Sequence, residues 1–165
     1  MRSLAVALLV ALFAAAAALL YATADGLPAQ VASHFNLSGY ADGYMPRGSY
    51  LLFMSLVTFG VPLLIVEANI VLPRFIPRLV RIPARDYWLA QERRAETLAS
   101  IATSGVLIAC LITGFMIAVH LLVVEANKRS PPKIEGELLW VLIAVLVVAM
   151  LAWQFFRWRR FRLPG

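Results

Sequence analysis

Cysteine, histidine and charge are all scarce in this chain of 165 residues. The one cysteine, Cys110, lies inside an apolar run, so no intrachain disulfide can form and cysteine says nothing about the redox compartment. Two histidines, His34 and His120, leave little for acid–base or nucleophilic chemistry. There is no phosphate-cradling glycine loop, no nucleophile elbow and no cysteine pair, and no aspartate falls inside a long apolar run. The sequence therefore predicts neither an enzyme nor a bound cofactor. Charged residues make up only 15% of the chain against 62% hydrophobic, with a mean hydropathy of +0.81. That balance excludes an ordinary soluble domain and predicts an integral membrane protein.

Apolar runs fill most of the length, and no soluble domain separates them, so residues 1–165 are expected to form a single membrane domain. Roughly 20 helical residues cross the hydrocarbon, and four runs qualify, at about 4–24, 49–72, 97–124 and 138–157. The first also resembles a secretory signal, with Arg2 in front and Ala22-Thr23-Ala24 behind. Its apolar core is longer than a usual signal core, which predicts a retained span; cleavage would leave three. Ser49 is placed to cap the second span, and Pro62 predicts a kink, because it lacks an N–H and crowds the carbonyl of Thr58. Gly105, Ala109 and Thr113 recur every four residues on the third span and offer a shallow face for another helix.

The connector at 73–96 is basic and punctuated by Pro73, Pro77 and Pro83. Asp86 reads as the N-cap of an amphipathic helix running along the surface, with Trp88 at headgroup level. The tail carries Arg157, Arg159 and Arg160 among aromatics, directly after a span. The formal charge of +6 would suggest nucleic acid in a soluble protein. Here the basic residues flank spans, which points to anionic lipid instead and excludes nucleic acid as the first expectation. Connector and tail hold most of the arginines, so both termini are predicted to face the cytoplasm. The architecture expected is an all-α bundle of four transmembrane helices, N-in and C-in, with a small outward loop cap at 25–48.

Within that loop, Ser33-His34-Phe35-Asn36-Leu37 alternates, so His34 and Asn36 would share one face of an extended segment. Ser38-Gly39 and Asp42-Gly43 are turn dipeptides, and Tyr40 and Tyr44 flank the second. One reading makes the loop a binding cap with His34, Phe35, Asn36, Asp42 and Tyr44 as its surface. The plainer reading makes it a cover for the bundle, with His34 satisfied by backbone. A metal site would need three or four ligands, and only His34, Asp25 and Asp42 are at hand, so none is expected. Inside the spans, Glu67 is a candidate for proton or ion handling; the plainer reading pairs it with Arg74 or Arg78. Asn69 and His120 are expected to hydrogen-bond between helices.

The run Leu27-Pro28, Val31, His34-Phe35-Asn36, Gly39 and Asp42-Gly43-Tyr44 resembles the signature of a bacterial membrane family. It is the family called domain of unknown function sixteen-forty-eight, which also forms the N-terminal part of SdpI-type immunity proteins. Arg47 stands where that family tends to have a basic residue, and Ile82-Pro83-Ala84-Arg85-Asp86-Tyr87-Trp88 resembles a run in its short members. Ala41 replaces a frequent proline. The resemblance covers about residues 5 to 100 and implies immunity to a secreted peptide toxin, or signalling by it. The chain lacks the further spans of the immunity proteins. Two functions are thus expected to compete. The first is a non-enzymatic accessory or immunity-like protein that binds a peptide, another membrane protein or itself. The second is a small oligomeric carrier using Glu67.

Overall fold

The computed structural model describes residues 2–163. Four helices are long and apolar enough to span a membrane: α1 (Arg2–Ala24), α2 (Arg47–Phe75), α3 (Gln91–Ala126) and α4 (Gly136–Arg160). The all-α expectation is corrected at the cap, where β1 (Gln30–Phe35) and β2 (Ala41–Pro46) form an antiparallel hairpin. Its turn follows from two residues. Asn36 Oδ1 accepts from the amides of Ser38 and Tyr40 at 3.0 and 3.1 Å. Gly39 adopts φ 83°, a conformation cheap only without a Cβ.

Strict alternation fails along β1. The register shifts between Ala32 and His34 and again before Phe35. This irregularity buries both Val31 and Ala32, leaves His34 exposed and half-buries Phe35. Asn36 consequently lies past the strand, in the turn, and not beside His34 on a shared face.

α3 is the central helix and packs on both α1 and α2. Near the hairpin, Leu20, Leu27, Val31, Tyr50, Met54 and Val123 form one core cluster; further along, Ala5, Leu9, Val106, Ala109 and Cys110 form another. The small-residue face is used inside the chain. A Cβ added at Gly105 would sit 2.5 Å from Asn69 Cβ, so α2 and α3 approach at a distance only glycine allows. Ala109 and Thr113 are fully buried on the same face.

α2 begins at Arg47 after Pro46, with no side-chain cap, so Ser49 sits inside the first turn and does not cap it. Over Leu56–Gly60 the ladder widens to a π-turn, directly before Pro62, where the missing N–H leaves the ladder short of a donor. The helix runs on through Pro73 to Phe75, beyond the expected end.

The expected surface helix is also corrected. Arg85–Trp88 makes a single turn, entered through Ala84 at φ 47°. Asp86 engages Arg85 Nε at 3.0 Å and caps no backbone. Extended Ala90 then breaks the path, and residues from Gln91 onward belong to one continuous 36-residue helix. The single turn is held back against α3 by Thr97 Oγ1, which donates to Trp88 O at 2.8 Å.

α4 has no buried residue. Its attachments cluster at its C-terminal half. Trp153 Nε1 donates to Ser104 Oγ at 2.5 Å, and Trp88 Nε1 donates to Phe161 O at 2.8 Å. The bundle therefore has two chemically distinct ends. One carries the hairpin and the α3–α4 loop; the other carries the 76–90 connector and the tail. Of the fifteen Lys and Arg, only Arg47, Lys128, Arg129 and Lys133 belong to the hairpin end.

Candidate binding cap and its buried anchor

Three fastenings hold the hairpin to the bundle. Arg47, the first residue of α2, directs its guanidinium to the carbonyls of Ala24, Asp25 and Leu27 at 3.2, 3.4 and 3.3 Å. These lie at and just past the C-terminus of α1, where unpaired carbonyls carry partial negative charge, so a cation there is favourable. Asn127, just past α3, reads the backbone of Ala32 on both sides. Its Oδ1 accepts from Ala32 N at 2.8 Å, and its Nδ2 donates to Ala32 O at 3.0 Å. The amide thus stands in for a neighbouring strand. Finally, the α3–α4 loop lies against the hairpin tip: Ala41 N donates to Pro132 O at 3.2 Å, and Ile134 N donates to Gly39 O at 2.9 Å.

The opposite face of the hairpin is bare. His34 Nδ1 and Asp42 Oδ1 meet across the strands at 2.5 Å with side chains 76% and 44% exposed. The pair partly replaces the expectation that backbone satisfies His34. Gly43 makes it possible, since a Cβ there would lie 2.8 Å from His34 Cβ. Tyr40, Tyr44 and Leu37 are exposed beside it. Phe35, expected on the binding surface, packs instead against the core cluster, and Asn36 closes the turn. Beyond Ala41, no backbone other than β1 bonds to β2 among the described residues until the hairpin ends.

Beneath the hairpin lies a buried polar chain. His120 and Tyr50 are both 2% exposed. Tyr50 OH is 2.9 Å from His120 Nδ1, His120 Nε2 is 2.8 Å from Thr23 Oγ1, and Thr23 Oγ1 is 2.8 Å from Leu19 O. Donor counting assigns the protons. Leu19 O can only accept, so Thr23 spends its one proton there and must accept from His120 Nε2–H; Nδ1 then accepts from Tyr50. One neutral imidazole thereby joins α1, α2 and α3 with every group satisfied, at the level where the hairpin is rooted. The expected interhelical role of His120 is met twice over.

Other expected residues scatter. Glu67 is exposed on the outer surface of α2, and among the described residues no ion pair reaches it, so pairing with Arg74 or Arg78 is not found. Asn69 Nδ2 donates to Ile65 O of its own helix at 2.8 Å rather than across helices. Trp88 is half-buried as a pin on the tail. Arg157 donates to Arg81 O at 3.4 Å, Arg159 lies over the Phe155 ring, and Arg160 is 3.7 Å from Glu96. Among the described residues, no three His, Cys, Asp or Glu side chains converge as a metal would require.

Sequence reasoning missed Asn127, Tyr50 and Thr23 as parts of the site, and it noted Arg47 only through the resemblance. Asn127 had a signal of sorts. An asparagine just after an apolar helix can tie strand backbone, but nothing local shows that β1 lies 95 residues away in sequence.

Residues 8–65 match the family model described as Domain of unknown function (DUF1648), the family that the hairpin residues resemble. The matched segment holds most of α1, the whole hairpin and α2 as far as Ile65, and so contains Thr23, His34, Asp42, Arg47 and Tyr50. It stops short of the connector run that begins at Ile82. No curated protein and no solved structure matches the chain.

Proposed function

We propose, with the family match over residues 8–65 as the premise, that the chain is a non-enzymatic multi-pass protein of the bacterial inner membrane. Its outward hairpin binds a peptide or an extracytoplasmic segment of another membrane protein, in an accessory or immunity-like role. One observation carries this reading: the hairpin is fastened from behind by Arg47, Asn127 and the 132–134 backbone while its front is left open. A preorganised surface loses little entropy on binding. Exposed tyrosines beside the polar His34–Asp42 pair suit peptide recognition, and the free edge of β2 can accept an extended partner as an added strand. Basic residues concentrated at the far end support the outward orientation.

The test is capture of a partner from native membranes by affinity-tagged protein. Tyr44→Ala and His34→Ala are expected to cut the co-purified partner several-fold while insertion and melting temperature stay unchanged. Equal capture by both variants would remove the hairpin from the function.

The carrier reading keeps one observation in its favour. Glu67 is exposed on a helix apolar enough to span a membrane, and among the described residues no ion pair reaches it; such a carboxylate is costly in lipid unless a second subunit covers it. Glu67→Gln abolishing a measured flux in proteoliposomes would support that reading over the first.

A further inference from the structure

An open cleft of about 390 Å³ lies between α1, α3 and α4 in the apolar middle of the bundle, lined by Leu12, Leu111, Phe115, Leu142, Val145 and Leu146. A separate, wider cavity of about 810 Å³ lies at the hairpin end, lined among others by Leu37, Lys133, Glu137, Leu138 and Val141. One stripe of α4 lines both. Leu138, Val141, Leu142, Val145 and Leu146 recur at three- and four-residue spacing and so lie on one helix face. Among the described residues, the side-chain hydrogen bonds and ion pair that hold α4 to the rest of the chain lie further along, at Trp153, Arg157 and Arg160.

The charges at the hairpin-end cavity select an occupant. Arg129 is taken by Glu135 at 2.5 Å. Lys133 lies over the Tyr40 ring at 4.6 Å and meets no carboxylate, and Glu137 meets no cation, among the described residues. What remains, among the described residues, is one ammonium held by a ring alone and one carboxylate without a cation, at the hairpin end of the α4 stripe. A purely anionic head would leave Glu137 repelling it; a second apolar helix would leave both charges unpaired.

We infer that the α1–α3–α4 cleft and the hairpin-end cavity together hold a phospholipid whose head carries both a phosphate and a primary ammonium. One acyl chain lies along the Leu138–Leu146 stripe, the phosphate meets Lys133, and the ammonium meets Glu137. A primary ammonium donates hydrogen bonds to a carboxylate, whereas a quaternary one cannot, so the site distinguishes phosphatidylethanolamine from phosphatidylcholine. This cavity borders the peptide-binding face at Leu37 and Tyr40, but lipid retention is read without a peptide, so either reading can fail alone.

Native mass spectrometry of the detergent-purified protein, offered phosphatidylethanolamine, phosphatidylcholine and phosphatidylglycerol with identical chains, tests the inference. Wild type is expected to retain phosphatidylethanolamine about tenfold over either competitor, the scale of one charge-assisted hydrogen bond. Glu137→Gln should erase the preference over phosphatidylcholine, and Lys133→Gln should lower retention of all three. Gly114→Leu, which narrows the groove from the α3 side, should also lower all three. Equal retention of the three lipids by wild type, a preference for phosphatidylglycerol, or a dimer that excludes lipid and is broken by Gly114→Leu would each overturn it.

Discussion

The histidine at position 120 shows how much one side chain can organise. Its two ring nitrogens close a chain from Tyr50 to Leu19 that crosses three helices. Hydrogen bonds between membrane helices average about 0.6 kcal/mol and reach about 1.7. Tyr50→Phe is therefore expected to destabilise by about 1 kcal/mol in reversible detergent denaturation. His120→Leu should cost more, about 2 kcal/mol, because it orphans the Tyr50 hydroxyl in a buried site. Equal stability of His120→Leu and wild type would mean the chain is not formed. Gly105 gives a second test at this scale. Gly105→Ala places a methyl 2.5 Å from Asn69 Cβ and should destabilise by about 1–3 kcal/mol through overpacking. Adding Asn69→Gly should recover much of that loss, and strict additivity of the two would contradict the close approach. The small-residue spacing around Gly105 was legible as a packing face, but its partner was not. Helix periodicity shows which side of a helix is shallow and says nothing about which helix fills it.

Among the elements, the hairpin is the one most poorly legible beforehand. Of the two expected turns, only Ser38-Gly39 is one; Asp42-Gly43 lies inside β2 opposite His34, and Asn36, expected on an extended face, closes the turn. The strands themselves were expected as a loop within an all-α fold. Two causes explain this. A hairpin of this size is marginal alone, and its stability comes from Asn127, Arg47 and the 132–134 backbone, contacts far away in sequence. The bulge at Ala32–His34 also breaks the alternation that would mark a strand. Asn127→Ala removes both bonds to Ala32 and should speed amide exchange along β1 by at least about tenfold, while α3 stays protected. Gly39→Ala, strained at φ 83° and directed at Ile134 O 2.7 Å away, should expose the α3–α4 loop to proteolysis. Unchanged exchange and unchanged cleavage would show that the cap does not depend on these fastenings. The connector failed as an expectation for a related reason. Asp86 resembles a cap locally, but Ala90 breaks the path and Thr97 draws the single turn onto α3.

On the scale of the whole molecule, the four long apolar helices were legible, because a run of apolar residues long enough to cross lipid needs no partner to be recognised. Their pairing follows from the contacts that bring α3 back to the hairpin at Asn127 and the tail back to Trp88. The hairpin and the α3–α4 loop lie at one end of the bundle and the arginine-rich segments at the other, and the proposed orientation puts these ends on opposite sides of the membrane. The functional reading rests on that division, since a binding cap must face its partner. Ser38→Cys, made with Cys110→Ala so that it is the only thiol, can be probed on intact cells with a membrane-impermeant maleimide. The account predicts labelling before lysis at the level reached after it; reaction only in lysed cells would put the hairpin in the cytoplasm and contradict the assignment.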